Sequence, residues 1–216
     1  MEETENQKLV LNRLKNIDVE LVIKREDKIH PLISGNKYRK LKYNIAAALA
    51  GNKDTLLSFG GAFSNHISAV AAVGKMHSLK TIGIIRGEEL GMKPDDSIRA
   101  NPTLQMAAAN GMRFKFVNRS DYRLKKETFF IDKLNEEFGD FYLIPEGGTN
   151  ALAIKGCEEI LKAKDQKFDF ICAAMGTGGT LAGIINSAGK NQTVLGFSAL
   201  KGDFLKADVN KYTIPD

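Results

Sequence analysis

The chain has 216 residues, 43% of them hydrophobic and 26% charged, with a formal net charge of +5 and 20 glycines. This is the profile of a packed globular protein long enough to bury a core, and it excludes a disordered or collagen-like chain. The basic residues are interleaved with 26 acids and lack aromatic spacing, so no nucleic-acid partner is expected; no apolar run reaches membrane-spanning length, so no membrane is expected either.

From the N-terminus, MEETENQKLV is acidic and polar and does not read as an export signal. Cys157 and Cys172 have no metal-ligand spacing, and His30, His66 and His77 form no cluster. A cytoplasmic protein with free thiols and no zinc site is expected. VELVIKRED reads as a first strand, and KYRKLKYNIAAALAG as a helix stopped by Gly51. TLLSFGG is a strand closed by a glycine pair and followed by a helix from about Asn65 to Lys75. KTIGIIRG is a strand, PTLQMAAANG a helix ending at Gly111, and RFKFVN a short strand. RLKKETFFIDKLNEEFG predicts a helix with Phe129, Phe130, Leu134 and Phe138 on one side. FYLIPEGG returns to strand, ALAIKGCEEILKA to helix and FDFICAAMGTGG to strand; GTLAGIINSAG is helical and TVLGFSAL is the last clear strand.

That alternation predicts an α/β fold, a parallel sheet covered by helices on both faces, with ligands at the carboxyl ends of its strands. Two glycine pairs, Gly60–Gly61 and Gly147–Gly148, bracket a possible inserted domain and read either as hinges or as tight turns. The final stretch, KGDFLKADVNKYTIPD, is polar and weakly periodic. A doubly wound sheet usually continues with another helix and strand, so a missing C-terminal portion is expected.

Four stretches carry chemistry. In SGNKYRK, Lys37 stands in the first turn of a helix beside other cations. Both influences disfavour the protonated amine and suit a Schiff-base nucleophile, while the alternative is a solvated basic helix start, the reading kept for Arg39 and Lys42. SFGGAFSNHISAVAAVGK places Ser64, Asn65 and His66 at a helix start, as an N-cap or as a binding platform. IPEGGTNALAIKG is a second glycine turn, capped by Thr149 or Asn150. In AAMGTGGTLAG, an apolar strand runs through Gly176, Thr177, Gly178, Gly179 and Thr180 into a helix, a cup for a single phosphate or a turn without a ligand. It is not a triphosphate loop, because no Lys-Ser/Thr follows the glycines. A lysine for an aldehyde and a glycine cup for a phosphate together suit pyridoxal 5'-phosphate.

These motifs, in this order from about Val19 to Ser198, resemble those of the 1-aminocyclopropane-1-carboxylate deaminase / D-cysteine desulfhydrase family of pyridoxal-phosphate enzymes. The resemblance implies the three-layer parallel-sheet fold of type II. Its large domain would be residues 1–51 and 144–216, incomplete at the C-terminus, and its small domain residues 52–143. It implies that Lys37 holds the cofactor's aldehyde and Lys40 lies near its phosphate. Asn65 would stand beside the ring's 3-hydroxyl, Ser64 close to substrate, and Gly176, Thr177, Gly178, Gly179 and Thr180 would form the phosphate loop. Ser64, Asn65 and His66 would contact a small amino-acid substrate, and His66 resembles the desulfhydrase branch. The family's partner for the pyridine nitrogen and its substrate-shaping tyrosines would lie beyond Asp216. The expected function is a homodimeric deaminase or lyase releasing a 2-oxo acid and ammonia. A racemase, a β-replacement enzyme and a cofactor binder without turnover are the alternatives.

Overall fold

The computed structural model describes residues 3–199 and 204–214. Its centre is a four-stranded parallel sheet in the order β5-β4-β3-β6: β3 is Thr55–Gly61, β4 Lys80–Arg86, β5 Arg113–Val117 and β6 Tyr142–Ile144. Leu57 of β3 lies opposite Ile82 of β4 and Leu143 of β6. Both β3 and β4 are buried along almost their whole length, which explains why they read as unbroken apolar runs instead of alternating ones.

Successive side chains of these strands point to opposite faces. Leu56 and Ile85 pack with Leu41 and Ile45 of α1 (Asn36–Ala50), Ile67 and Val70 of α2 (Asn65–Met76), and Leu104, which belongs to a later helix, Pro102–Ala109. Leu57, Phe59, Ile82 and Ile84 pack on the other side with Tyr122, Phe130 and Leu134. Helix, sheet and helix therefore form three layers. The segment after β4 adds two short helices, α3 (Glu88–Gly91) and α4 (Pro94–Ala100), before α5 (Pro102–Ala109).

The helix expected over RLKKETFFIDKLNEEFG is two helices, α6 (Arg119–Arg123) and α7 (Thr128–Phe138). Asn118 caps the first, its Oδ1 accepting from Asp121 N at 2.8 Å. Phe130 and Leu134 are buried and Phe138 packs against them, but Phe129 is exposed and lies within reach of the Lys133 ammonium. At helical spacing Phe129 stands 100° from Phe130, so it falls off the apolar stripe.

After β6 come α8 (Ala151–Cys157), β7 (Phe170–Met175), α9 (Gly179–Ser187), β8 (Thr193–Ser198) and α10 (Phe204–Asn210). β7 and β8 form a separate parallel pair, with Cys172 opposite Leu195. The last expected strand ended at Leu200, which lies outside the described residues. The weakly periodic stretch after it contains α10, whose Val209 packs on Leu181, Ala182 and Ile154. α8 is shorter than expected, ending at Cys157, and beyond it Ile160 packs with Cys157 and Ile184.

VELVIKRED does not enter a parallel sheet. Its strand, β2 (Leu21–Lys24), pairs antiparallel with β1 (Asn6–Leu9), a polar segment not expected as a strand. Asp165 ties this ribbon down: its carboxylate accepts from Asn6 Nδ2 and Lys24 Nζ, each at 2.7 Å. Burial works against the charge of Asp165, but these bonds and one from Lys162 N hold its carboxyl below the usual range. Among the described residues no helix is long and apolar enough to cross a membrane.

Candidate active site

Helix α1 begins at Gly35, whose φ of 63° breaks the extended chain and starts the helix at Asn36. Lys37 and Lys40 lie three residues apart on one face of it. The basic run is not a solvated helix start. Arg39 is 2% exposed, its Nε and Nη2 gripping the Glu26 carboxylate at 2.9 and 3.0 Å. Lys42 donates to both oxygens of Glu159 at 2.7 and 2.6 Å. Both residues were expected in water; carboxylates distant in sequence draw them in instead. Helix α8 crosses α1 closely at Gly156, where a Cβ would stand 2.0 Å from the Arg39 carbonyl oxygen, so only glycine fits.

Lys40 is 1% exposed. Its ammonium donates to the Gly147 carbonyl at 3.0 Å, to Thr149 Oγ1 at 2.9 Å and to Thr177 Oγ1 at 3.3 Å. The two threonine hydroxyls are themselves 2.7 Å apart. Three glycine-rich turns expected from sequence to sit apart in the chain thus supply or flank one cation. Among the described residues no carboxylate pairs with Lys40. Burial, with the charge of Lys37 adding to it, lowers the Lys40 pKa to about 8.

Lys37 is half-buried, and burial lowers its pKa as well. The direction agrees with the expectation from sequence, but desolvation is the principal cause, not the neighbouring positive charge or the helix end. Asn36 donates to Thr180 Oγ1 at 2.7 Å, joining the start of α1 to the start of α9. Gly178, at φ 76°, is the turn residue from which α9 departs; Gly178 and Gly179 are buried while Gly176 and Thr177 are exposed. Lys40 Nζ lies 3.1 Å from where a Cβ on Gly179 would be. Cys157 sits in the same floor, where burial pushes its thiol up to about 11 against the opposing influence of Lys40, Thr180 and Lys37.

The Ser-Asn-His platform divides. Ser64 is half-buried and is the N-cap of α2, accepting from Ile67 N at 3.4 Å; Asn65 is exposed at the first helical position. His66 does not share that surface. It is 2% exposed beneath the platform, with Nε2 2.8 Å from Ser58 Oγ. Ser58 donates to the Ile144 carbonyl at 2.8 Å, so the shared bond runs from His66 Nε2–H to Ser58. Nδ1 then has no hydrogen-bond partner among the described residues that meets the usual geometry. Burial drives the His66 pKa well below its ordinary value, and the charges of Lys37 and Lys40 add to this. The substrate contact expected of His66 is therefore corrected to support from behind the platform. Ser58 was missed from sequence; a serine flanked by apolar residues inside the run TLLSFGG was the available signal.

Asn150, not Thr149, caps α8, accepting from Ala153 N at 2.9 Å. Asn44 and Asn150 bond each other, through Asn150 Nδ2 to Asn44 Oδ1 at 2.7 Å, which pins α8 against α1. A cavity of about 990 Å³ opens beside Ser64 at the carboxyl ends of β3 and β4; Lys37 and Lys40 do not line it.

A family model described as pyridoxal-phosphate dependent enzyme matches residues 3–201. The chain is 34% identical over 178 residues to the mitochondrial bifunctional D-cysteine desulfhydrase/1-aminocyclopropane-1-carboxylate deaminase of Arabidopsis thaliana, covering 76% of this chain and 44% of that one. It is 32% identical over 180 residues to a 1-aminocyclopropane-1-carboxylate deaminase of Bradyrhizobium diazoefficiens, covering 78% and 52% respectively. A solved structure of an ACC deaminase homologue matches with a TM-score of 0.79 at 27% identity, over 98% of this chain and 65% of that one. The chain spans about half the length of the curated relatives it matches.

Proposed function

Because the chain belongs to the pyridoxal-phosphate dependent enzyme family, we propose that it is a deaminase or lyase acting on a small amino acid. The substrate would be of the D-cysteine or 1-aminocyclopropane-1-carboxylate type, and the products a 2-oxo acid and ammonia. The observation that carries this reading is Lys40: a buried ammonium held by three neutral oxygens, with no carboxylate paired to it among the described residues. Such a cation is expensive unless an anion joins it, and a phosphate supplies both the charge and the acceptor oxygens. The residues present fit the cofactor.

In this reading Lys40, Thr149, Thr177 and the backbone N–H groups of Gly176–Thr180 would hold the phosphate, aided by the N-terminus of α9. Asn65 would stand beside the ring and Ser64 would orient the substrate carboxylate. When bound, the cofactor supplies a conjugated electron sink for charge developing at the substrate's α-carbon. Lys37 would hold the cofactor's aldehyde through its amine and, once the substrate's amino group takes that place and frees it, would hold and move the proton at the substrate's α-carbon. Its burial favours the neutral amine that both tasks require. His66, kept neutral by burial, fixes the start of α2 through Ser58. Residues 52–143 act as the small domain, with substrate between it and the remainder of the chain, in a cytoplasmic homodimer.

The test is titration of the full chain with pyridoxal phosphate, followed by assay of 2-oxo acid release from D-cysteine and from 1-aminocyclopropane-1-carboxylate. A visible absorbance band in the wild type, its loss in Lys37→Ala, and release from one of the two substrates are expected. No band, or a band unaltered in Lys37→Ala, would overturn the reading.

A further inference from the structure

Register places Gly61 of β3, Arg86 of β4 and Val117 of β5 side by side at the carboxyl ends of the central strands. Arg119 follows two residues after Val117, at the start of α6. Arg86 and Arg119 line both the cavity beside Ser64 and a smaller neighbour of about 290 Å³, to which Arg123 and Lys125 also contribute. An Arg86 guanidinium nitrogen lies 4.0 Å from where a Cβ on Gly61 would be, and its Cζ lies 5.7 Å from the centroid of the Tyr122 ring. The exposed Arg86 side chain thus stands at the strand ends where ligands bind in parallel sheets.

The cations here outnumber the acids able to neutralise them. Glu146, on the wall of the smaller cavity, is engaged by Lys125 at 3.3 Å and by the Tyr122 hydroxyl at 2.7 Å. In the larger cavity Asp96 pairs with Arg99 at 2.6 Å, and Glu89 and Lys93 both line it. The arginine ion pairs of the described residues belong to Arg25, Arg39 and Arg99. Arg86, Arg119 and Arg123 have none among the described residues. Guanidinium groups facing a cavity with no carboxylate of their own are suited to grip a carboxylate, sulfonate or phosphate in a fork of two hydrogen bonds.

We propose that Arg86 and Arg119 form an anion-binding subsite, so that the preferred substrate is an amino acid whose side chain ends in a second anionic group. The proposal rests on the reading of Ser64 as a substrate contact and narrows it: Ser64 takes the α-carboxylate end, and the arginines take the far acid group. D-cysteine and 1-aminocyclopropane-1-carboxylate still enter through Ser64 and react, but they leave the arginines unused and bind more weakly than an amino acid with a second acid group.

Titration calorimetry of the full chain in the presence of pyridoxal phosphate, with both enantiomers of aspartate and of alanine, tests this. One enantiomer of aspartate is expected to bind at least about tenfold more tightly than the matching alanine, the scale of a charge-assisted hydrogen bond. That ratio should collapse towards one in Arg86→Gln and in Arg119→Gln, be partly kept in Arg86→Lys, and stay unchanged in the surface control Lys133→Gln. Thermal unfolding of each variant shows that it folds. Equal affinities for aspartate and alanine, undetectable binding of both included, would overturn the subsite, as would a ratio that survives both Gln substitutions. The visible band is read on the same samples. A ratio without a band sinks the cofactor reading and leaves the subsite standing; a band without a ratio does the reverse.

Discussion

The two parallel sheets among the described residues are built from similar apolar runs and end differently. β3 and β4 are covered on both faces, by α1, α2 and α5 on one side and by α6 and α7 on the other. β7 alternates between half-buried and exposed positions, and β8 is exposed at five of its six, with Phe170, Leu195 and Phe197 facing outwards. The difference is one of cover, not of strand propensity: β7 and β8 rest on α9 and α8 through Ile171, Ala173, Met175 and Val194, and their opposite face has no helix against it among the described residues. The lesson is a division of labour. The four-stranded sheet supplies rigidity and the strand ends that carry Ser64 and Arg86, while the thinner pair supplies the Gly176–Thr180 turn.

The comparison breaks most severely at Phe59, which is 1% exposed between β4 and Tyr122. Phe59→Ala should cost about 3–5 kcal/mol in urea unfolding, because the rigid layers cannot close the cavity. A loss below about 1 kcal/mol would mean that the central sheet is not the tightly packed region.

Lys40 sharpens the comparison at the thin end. Its folded pKa of about 8 lies below the value of the unfolded chain, so between these values the unfolded state binds more protons and stability rises with pH. Without cofactor or phosphate, Lys40 should contribute a gain of about 1 kcal/mol from pH 8 to pH 9, offset in part by Cys157, whose thiol ionises more readily in the unfolded chain. Lys40→Met should flatten that rise, which denaturant melts at the two pH values would show. An equal rise in the variant would place its origin elsewhere. At the small end, Phe197→Ser should change stability by no more than about 0.5 kcal/mol, since the ring is already in water. A larger loss would show that the exposed face is covered after all.

The central strands and the glycine turns could be read locally, because an apolar run closed by Gly-Gly or Gly-Thr-Gly-Gly carries its own punctuation. The ribbon of β1 could not be: NQKL is polar, and it becomes a strand only through Lys24 and Asp165, the latter well over a hundred residues away. The short helices α3 and α4 offered too few residues for a periodic pattern. Within the site, Lys37 stood out through the Ser-Gly-Asn turn before it. The burial of Arg39 did not, because its partner Glu26 lies in a different turn. The same holds for His66: its place behind the platform depends on Ser58 and Gly148 meeting it from separate strands and turns.

The central claim is that Lys37, and not its more deeply buried neighbour Lys40, takes the aldehyde of the cofactor. Borohydride reduction of the protein loaded with pyridoxal phosphate, followed by peptide mass mapping, tests it directly. A single added pyridoxyl-phosphate mass on the peptide carrying Lys37, localised to that residue, is the predicted result. Labelling of Lys40 in its place, or of scattered surface lysines without preference, would contradict it.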